Sequence, residues 1–232
     1  MRTAMNASGV WKLYASGDST IEAVRGVDVS LGVGEMVAIM GPSGCGKTTL
    51  LNVLSGIDVP TAGHVTVNDL PLFGISDNQR TSMRSTYLGF IFQDFNLLPV
   101  LSAVENVELP LLLLGIAAGE ARKRAQQALE DVGIGDRSQH RPSELSGGQQ
   151  QRVAVARAIV HRPAVVLCDE PTGNLDTKTS TEVLDLLKRI NKEHKTTFLI
   201  VTHDASIADL CDRVLQMEDG IMIGDSSRTE EE

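Results

Sequence analysis

Long apolar runs are missing from this chain, and their absence limits where the molecule can sit. The longest such stretch, residues 109–118, is broken by Pro110 and Gly115. It falls well short of the roughly 20 residues a membrane-crossing helix needs. The first nine residues carry one arginine and no apolar core, so no secretory leader is expected. Cysteine is scarce: Cys45, Cys168 and Cys211 are odd in number, scattered, and free of C-x-x-C or Cys/His clustering. That pattern excludes a disulfide framework, offers no site for a metal of the zinc type, and fits reduced thiols in a cytosolic protein. A basic excess is also lacking. Lysine and arginine number 21 against 30 aspartates and glutamates, a net charge of −9, which argues against nucleic acid bound across the whole surface, though not against a local basic contact, and nucleic acid is left out of the expected partners. No internal repeat is visible. With 232 residues, 42% of them hydrophobic and 22% charged, the chain is large enough for one globular domain with a substantial core.

What is present centres on Gly41-Pro42-Ser43-Gly44-Cys45-Gly46-Lys47-Thr48-Thr49. It follows a short apolar run at residues 36–40 and precedes Leu50-Leu51-Asn52-Val53-Leu54, which reads as the start of a helix. Strand, glycine-rich turn and helix together give the G-x-x-x-x-G-K-[ST] pattern its mechanism. Glycines let the backbone curl so that N–H groups converge in front of the positive end of a helix dipole, a seat for polyphosphate. Lys47 supplies a charge for the β- and γ-phosphates, and the Thr48 hydroxyl is placed to ligate Mg²⁺. The expected ligands are therefore ATP and Mg²⁺, with no other metal.

The remaining pattern predicts an α/β fold. Val27, Val29 and Leu31 alternate with Asp28 and Ser30, the mark of a half-buried antiparallel strand over residues 23–31. A partner strand is expected at 10–14, a turn at 15–19, a further edge strand at 64–68, and a frayed terminus at 1–8. Apolar positions 121, 125, 128, 129 and 132 predict a helix over 117–132, stopped by Gly133. Residues 137–144 read as loop and 150–160 as helix. Three apolar runs, 165–168, 198–201 and 214–217, suit a parallel sheet covered on both faces. Between the first two lies a helix over 177–194 that Asp176 is suited to cap. The tail, 228–232, is expected to be disordered. The whole reads as one domain over 1–232: a nucleotide-binding core with an antiparallel flap at about 8–85 and 161–224, and a helical insertion at about 86–160.

Val165-Val166-Leu167-Cys168-Asp169-Glu170 is an apolar strand ending in two acids, at the strand end where ligands meet a parallel sheet. Asp169 would hold Mg²⁺ through water, and Glu170 would orient or deprotonate the water that attacks the γ-phosphate. Leu145-Ser146-Gly147-Gly148-Gln149 places a hydroxyl and two glycines directly before a helix, a second anion seat. One ATP needs one seat. The second is accounted for if it serves an ATP held by another copy, in a head-to-tail homodimer with two ATPs at the interface.

These motifs, with Leu167-Cys168-Asp169-Glu170-Pro171-Thr172-Gly173-Asn174-Leu175-Asp176 in the same order, resemble the ATP-binding cassette (ABC) ATPases over nearly the whole chain, from about 10 to 224. The resemblance implies ATP hydrolysis coupled to transport. It extends ATP contact across residues 41–49 (Gly41, Ser43, Gly44, Cys45, Gly46, Lys47, Thr48 and Thr49) and to Ser146, Gly148 and Gln149. It implies that Tyr14 stacks on adenine, that Gln93 contacts Mg²⁺ and the membrane partner, that Asp176 crosses the dimer interface, and that His203 reaches the γ-phosphate. Taken singly, Tyr14 also fits a plain edge-strand aromatic and His203 a satisfied strand-end histidine. Glu170, His203 and Lys47 form the catalytic set; Thr48, Gln93 and Asp169 the Mg²⁺ set.

Residues 89–99 and 105–110 resemble the macrolide-exporter and lipoprotein-release group, with the cell-division ABC pair as a near relative. This implies a separate membrane permease, attachment to the inner face of the membrane through it, and export, extraction or force transmission. Cys45 stands where serine is more common. It reads either as a small residue that fits or as an oxidisable thiol at a helix N-terminus.

Overall fold

The computed structural model describes residues 2–17 and 19–227, so the expected disordered tail and Asp18 of the predicted turn lie outside the described residues. In chain order the elements are β1 (Thr3–Ser16), β2 (Ser19–Gly32), β3 (Met36–Met40), α1 (Lys47–Leu54), β4 (Ala62–Val67), β5 (Leu70–Pro71), α2 (Asp77–Tyr87), β6 (Leu88–Phe92), α3 (Ala103–Leu113), α4 (Ala118–Asp131), α5 (Gly147–Ile159), β7 (Val165–Asp169), α6 (Thr177–His194), β8 (Thr197–Thr202), α7 (Ala205–Ala208), β9 (Arg213–Glu218) and β10 (Ile221–Ser227).

Two sheets organise them. A six-stranded sheet runs β10-β9-β3-β8-β7-β6. Its strands β9, β3, β8, β7 and β6 are parallel, and β10 closes one side antiparallel to β9. A four-stranded antiparallel sheet, β2-β1-β4-β5, forms the flap.

The continuous apolar runs have a direct explanation in the packing. Val37 and Ile39 of β3, Val165 and Leu167 of β7, and Leu199 and Val201 of β8 face the core under the flap and α1. Their neighbours Met36 and Ala38, Val166 and Cys168, and Phe198 and Ile200 face the core shared with α3, α4, α5 and α6. Each such strand residue is buried on one side or the other, and each large one adds about 1.5–3 kcal/mol of hydrophobic stabilisation.

Several expectations are corrected. The terminus expected to fray at 1–8 is, over its described residues 2–8, not frayed: β1 begins at Thr3, pairs with β2 on one side and β4 on the other, and buries Ala4, Met5 and Ala7. The strand expected at 64–68 as an edge is β4, which lies inside the flap between β1 and β5. Six elements were not expected, β5, α2, β6, α3, α7 and β10, three of them for clear reasons. The residues of α2 are all at least partly exposed, so it has no apolar stripe to read. α3 carries Pro110 inside it, yet opens with a full capping box between Ser102 and Glu105. β6, as short as its sequence Leu-Gly-Phe-Ile-Phe, pairs with β7 at the sheet edge. Asp176 does cap α6, accepting from the Thr179 N–H at 3.1 Å.

Candidate functional site

The carboxyl ends of β3, β7 and β8 open into a cleft of about 710 Å³. Its lining holds Ser43, Gly44, Cys45, Gly46, Lys47, Thr48 and Thr49 from the loop after β3, Gln93 after β6, Asp169 and Glu170 at the end of β7, and His203 after β8. Residues far apart in sequence therefore meet because four parallel strands end on one line.

The loop is shaped for an anion. Gly46 caps α1 at φ 105°, and no side chain among the described residues bonds into that cap. The first amides of α1 thus face the cleft with the dipole behind them. A Cβ on Gly46 would run into the Ala23 carbonyl oxygen, so close approach to β2, as well as loop curvature, demands glycine there. Lys47 Nζ donates to the Gly41 and Pro42 carbonyls at 2.8 and 2.9 Å, which folds the ammonium over its own loop. Cys45 is buried, its sulfur 3.9 Å from Lys47 Nζ; it fills the space behind the loop and is screened from solvent. Gly41 stands just outside the lining, behind Cys45.

Thr48 Oγ1 lies 3.3 Å from Asp169 Oδ1. Burial raises the Asp169 carboxyl above its ordinary value and the Glu170 charge adds to that, while Thr48 and Lys47 pull it down. A hydroxyl and a carboxylate oxygen side by side form a hard donor set suited to Mg²⁺.

Glu170 sits at φ 46°, a left-handed conformation that costs a non-glycine residue about 1–3 kcal/mol. Its N–H donates to the Val201 carbonyl at 2.9 Å, which fastens the strained residue to β8. Its carboxylate is gripped from two sides: Oε1 lies 2.8 Å from His203 Nδ1, and Oε2 accepts from the Thr202 hydroxyl at 3.3 Å. The carboxylate is thereby aimed, and the histidine is held by the group it neighbours.

Gln93 Nε2 donates to Asn174 Oδ1 at 3.0 Å, and Asn174 Nδ2 returns to the Gln93 carbonyl at 3.1 Å and to Asp94 Oδ1 at 2.7 Å. Asn174 was not singled out from sequence; nothing in its spacing marks it, and only the fold sets it against the Gln93 loop. Two residues of α5 were missed likewise. Arg157, half-buried, donates to the Phe95 and Asn96 carbonyls at 2.8 and 2.6 Å, clamping two successive residues of positive φ. Gln151, fully buried, donates through Nε2 to the carbonyl of Pro171, the residue after Glu170.

Beyond Gly41, the expected residues Tyr14, Ser146, Gly148, Gln149 and Asp176 do not line the cleft. Ser146 caps α5, its hydroxyl accepting from the Gln149 N–H at 3.3 Å while Gln149 Oε1 accepts from the Ser146 N–H at 2.9 Å. Gly148 packs against α6, where a Cβ would collide with Thr179 Cγ2. Asp176 is engaged at the head of α6, with the Thr179 hydroxyl donating to its Oδ2 at 2.7 Å. Tyr14, at the flap end of β1, is 38% exposed, and its hydroxyl donates to Asp58 Oδ2 at 2.7 Å.

Residues 24–173 match the family described as ABC transporter. The lipoprotein-releasing system ATP-binding protein LolD of Legionella pneumophila is similar at 46% identity over 216 residues, 93% of this chain and 95% of that protein. LolD of Bordetella pertussis is 47% identical over 217 residues, 94% of each. Among solved structures, the dimeric ATP-binding cassette MJ0796, bound to ADP and Pi in a post-hydrolysis state, superposes with a TM-score of 0.88 at 40% identity, covering 96% of this chain and 98% of that one. The structure of cbiO1 from Clostridium perfringens, part of the ABC transporter complex cbiONQ, gives 0.86 at 31% identity, covering 98% and 89%.

Proposed function

The chain belongs to the ABC transporter family, and from that premise we propose that it is the ATP-hydrolysing subunit of a machine that extracts or exports an amphiphilic, lipid-anchored cargo through a separate permease. The relatives named for lipoprotein release support that cargo class. No helix among the described residues is long and apolar enough to cross a membrane. Membrane contact therefore passes through the permease, on the cytoplasmic face, with the helical part at about 86–160 and its Gln93 loop as the transmitting element and the rest of the domain as the nucleotide-binding core.

The observation that carries the reading is the gap between the two anion seats. The loop of residues 41–49 lines the cleft, whereas Ser146, Gly148 and Gln149 of the same copy stand outside it. A homodimer related head to tail brings the partner's Ser146 seat onto this cleft, and Asp176 to the same seam. The dimeric relative with ADP and Pi supports that arrangement.

Within the closed site each side chain has its own part. The amides at the head of α1 and the Lys47 ammonium hold the β- and γ-phosphates. Thr48, Asp169 and Gln93 would hold Mg²⁺, which when bound shields the phosphate charge. Glu170, aimed by Thr202 and His203, orients the attacking water and accepts its proton. His203 turns from Glu170 to steady the γ-phosphate. Tyr14 carries the base.

Light scattering on the wild type and Glu170→Gln, with and without ATP and Mg²⁺, tests the shared site. A stable dimer of the variant with ATP, transient in the wild type, is expected. A variant that stays monomeric with ATP demonstrably bound removes Ser146 from the partner's site.

A further inference from the structure

We propose that Asp58, with Lys12, is a positioning residue for the Tyr14 ring, fixing the angle and the face on which a purine base is received; this rests on the reading of Tyr14 as the base platform. Tyr14 alone is a poor platform. It stands on the exposed end of a hairpin, opposite Ile21, where its ring would turn freely and would have to be immobilised each time a base arrived. Such ordering costs about 0.5–1.5 kcal/mol per side chain.

The structure removes that freedom in advance. Lys12 and Tyr14 are two apart on β1 and so share a face. The Tyr14 hydroxyl donates to Asp58 Oδ2 at 2.7 Å, and Lys12 Nζ donates to Asp58 Oδ1 at 2.6 Å. Lys12 also reaches the Val59 carbonyl at 2.9 Å, and the Val59 N–H donates to Asp58 Oδ1 at 2.7 Å. Asp58 thus takes three donors and holds both side chains of β1 at once. The Lys12 ammonium lies 4.8 Å from the centre of the Tyr14 ring, so it occupies one face and leaves the other for stacking.

The anchor of this clamp gives it a function beyond tidiness. Asp58 lies in the turn that follows α1, after Ser55, Gly56 and Ile57, and its own N–H donates to the Asn52 carbonyl in the last turn of that helix. The helix that begins at Lys47 and presents amides to phosphate therefore ends by gripping the aromatic on the flap. Phosphate seat and base platform belong to different sheets, and α1 with Asp58 sets the distance between them. The charge state of Asp58 suits this role. Burial would raise its carboxyl, but the hydrogen bonds from Lys12, Tyr14 and Val59 outweigh burial and hold it below the usual carboxylate value. It stays ionised and able to accept from all three.

Calorimetric affinities for ATP and for inorganic tripolyphosphate, each with Mg²⁺, test the assignment on wild type, Asp58→Ala, Tyr14→Phe, the double variant and Tyr14→Ala. Asp58→Ala is expected to weaken ATP about five- to tenfold while tripolyphosphate, which has no base, changes less than about twofold. Tyr14→Phe keeps the ring and loses the hydroxyl that Asp58 holds. It should match Asp58→Ala, and the double variant should be no worse than either. Equal losses for ATP and tripolyphosphate, or additive losses in the double variant, would show Asp58 to be a general support of the fold and overturn the proposal. So would an unchanged ATP affinity in Asp58→Ala beside a weakened one in Tyr14→Ala. If Tyr14→Ala itself binds ATP as the wild type does, the platform reading fails, and the positioning role with it.

Discussion

Glu170 shows most directly how the site is built from single residues. A carboxylate on a left-handed backbone is costly, and here the cost is met by the Val201 carbonyl, the Thr202 hydroxyl and the His203 ring together. Glu170→Gln keeps the shape and removes the proposed base, so turnover at saturating ATP should fall by about 10²–10⁴, the usual contribution of a general base. A Kd for ATP that stays near wild type in the same variant would separate loss of chemistry from loss of binding. Thr202→Val should lower turnover too, by less, because it loosens the aim of the carboxylate without removing it. Glu170, Lys47 and Asp169 were legible in the sequence because their chemistry is written in neighbours: an apolar strand before two acids, glycines before a lysine. Asn174, Gln151 and Arg157 were not, because polar side chains that bond to distant backbone carry no local pattern. Their partners lie 20 to 81 positions away and are chosen by the fold alone.

Among the elements, the heads of α5 and α6 meet with no room for an added methyl. Gly148→Ala would drive a methyl into Thr179 Cγ2, and overpacking of this kind costs about 1–3 kcal/mol. Thr179→Ser removes that methyl and keeps the hydroxyl that bonds Asp176, so the double variant should recover most of the lost melting temperature. A double variant as unstable as Gly148→Ala would place the strain elsewhere. At α3, the Ser102–Glu105 capping box should contribute about 1 kcal/mol, as such caps do. The Ser102 backbone N–H, and then its hydroxyl, hold the Glu105 carboxyl below its ordinary value. A depressed carboxyl contributes stability above its unfolded pKa and loses it as pH falls through the folded one. Glu105→Gln should therefore destabilise at pH 7 more than in acid, as denaturant melts at the two pH values would show. The same scale explains which elements could be read in advance. α6 and the strands of the parallel sheet announce themselves through apolar spacing. α2 has no buried face, α3 hides behind Pro110, and β6 is too short for any period to show.

For the whole molecule, the flap and the parallel sheet share one core, with Val24, Val27 and Leu31 packed among Val37, Ile39 and Leu50. That makes the flap and the parallel sheet a single folding unit, and cooperative two-state melting is expected for it. The general plan of an α/β core, antiparallel flap and helical insertion was readable because each layer has its own hydrophobic period. The extent of the flap was not, since β1 gains its first residues by pairing with β2 and β4, contacts that no local stretch reveals.

One link noted above reaches further. Ser146, the seat proposed for the neighbouring copy's triphosphate, caps the head of α5, and Gln151 in the helix's second turn holds the carbonyl of Pro171 beside Glu170. In the proposed homodimer each copy thus has a short rod, the first two turns of α5, with its head on its neighbour's triphosphate and Gln151 against its own trigger, the Glu170 segment. Two such rods, related by the proposed two-fold, would make the paired sites answer to each other, so that filling one adjusts the timing of the other. The ATP dependence of hydrolysis should accordingly be sigmoidal, and Gln151→Leu, which cuts the rod from the trigger, should bring the Hill coefficient down towards one.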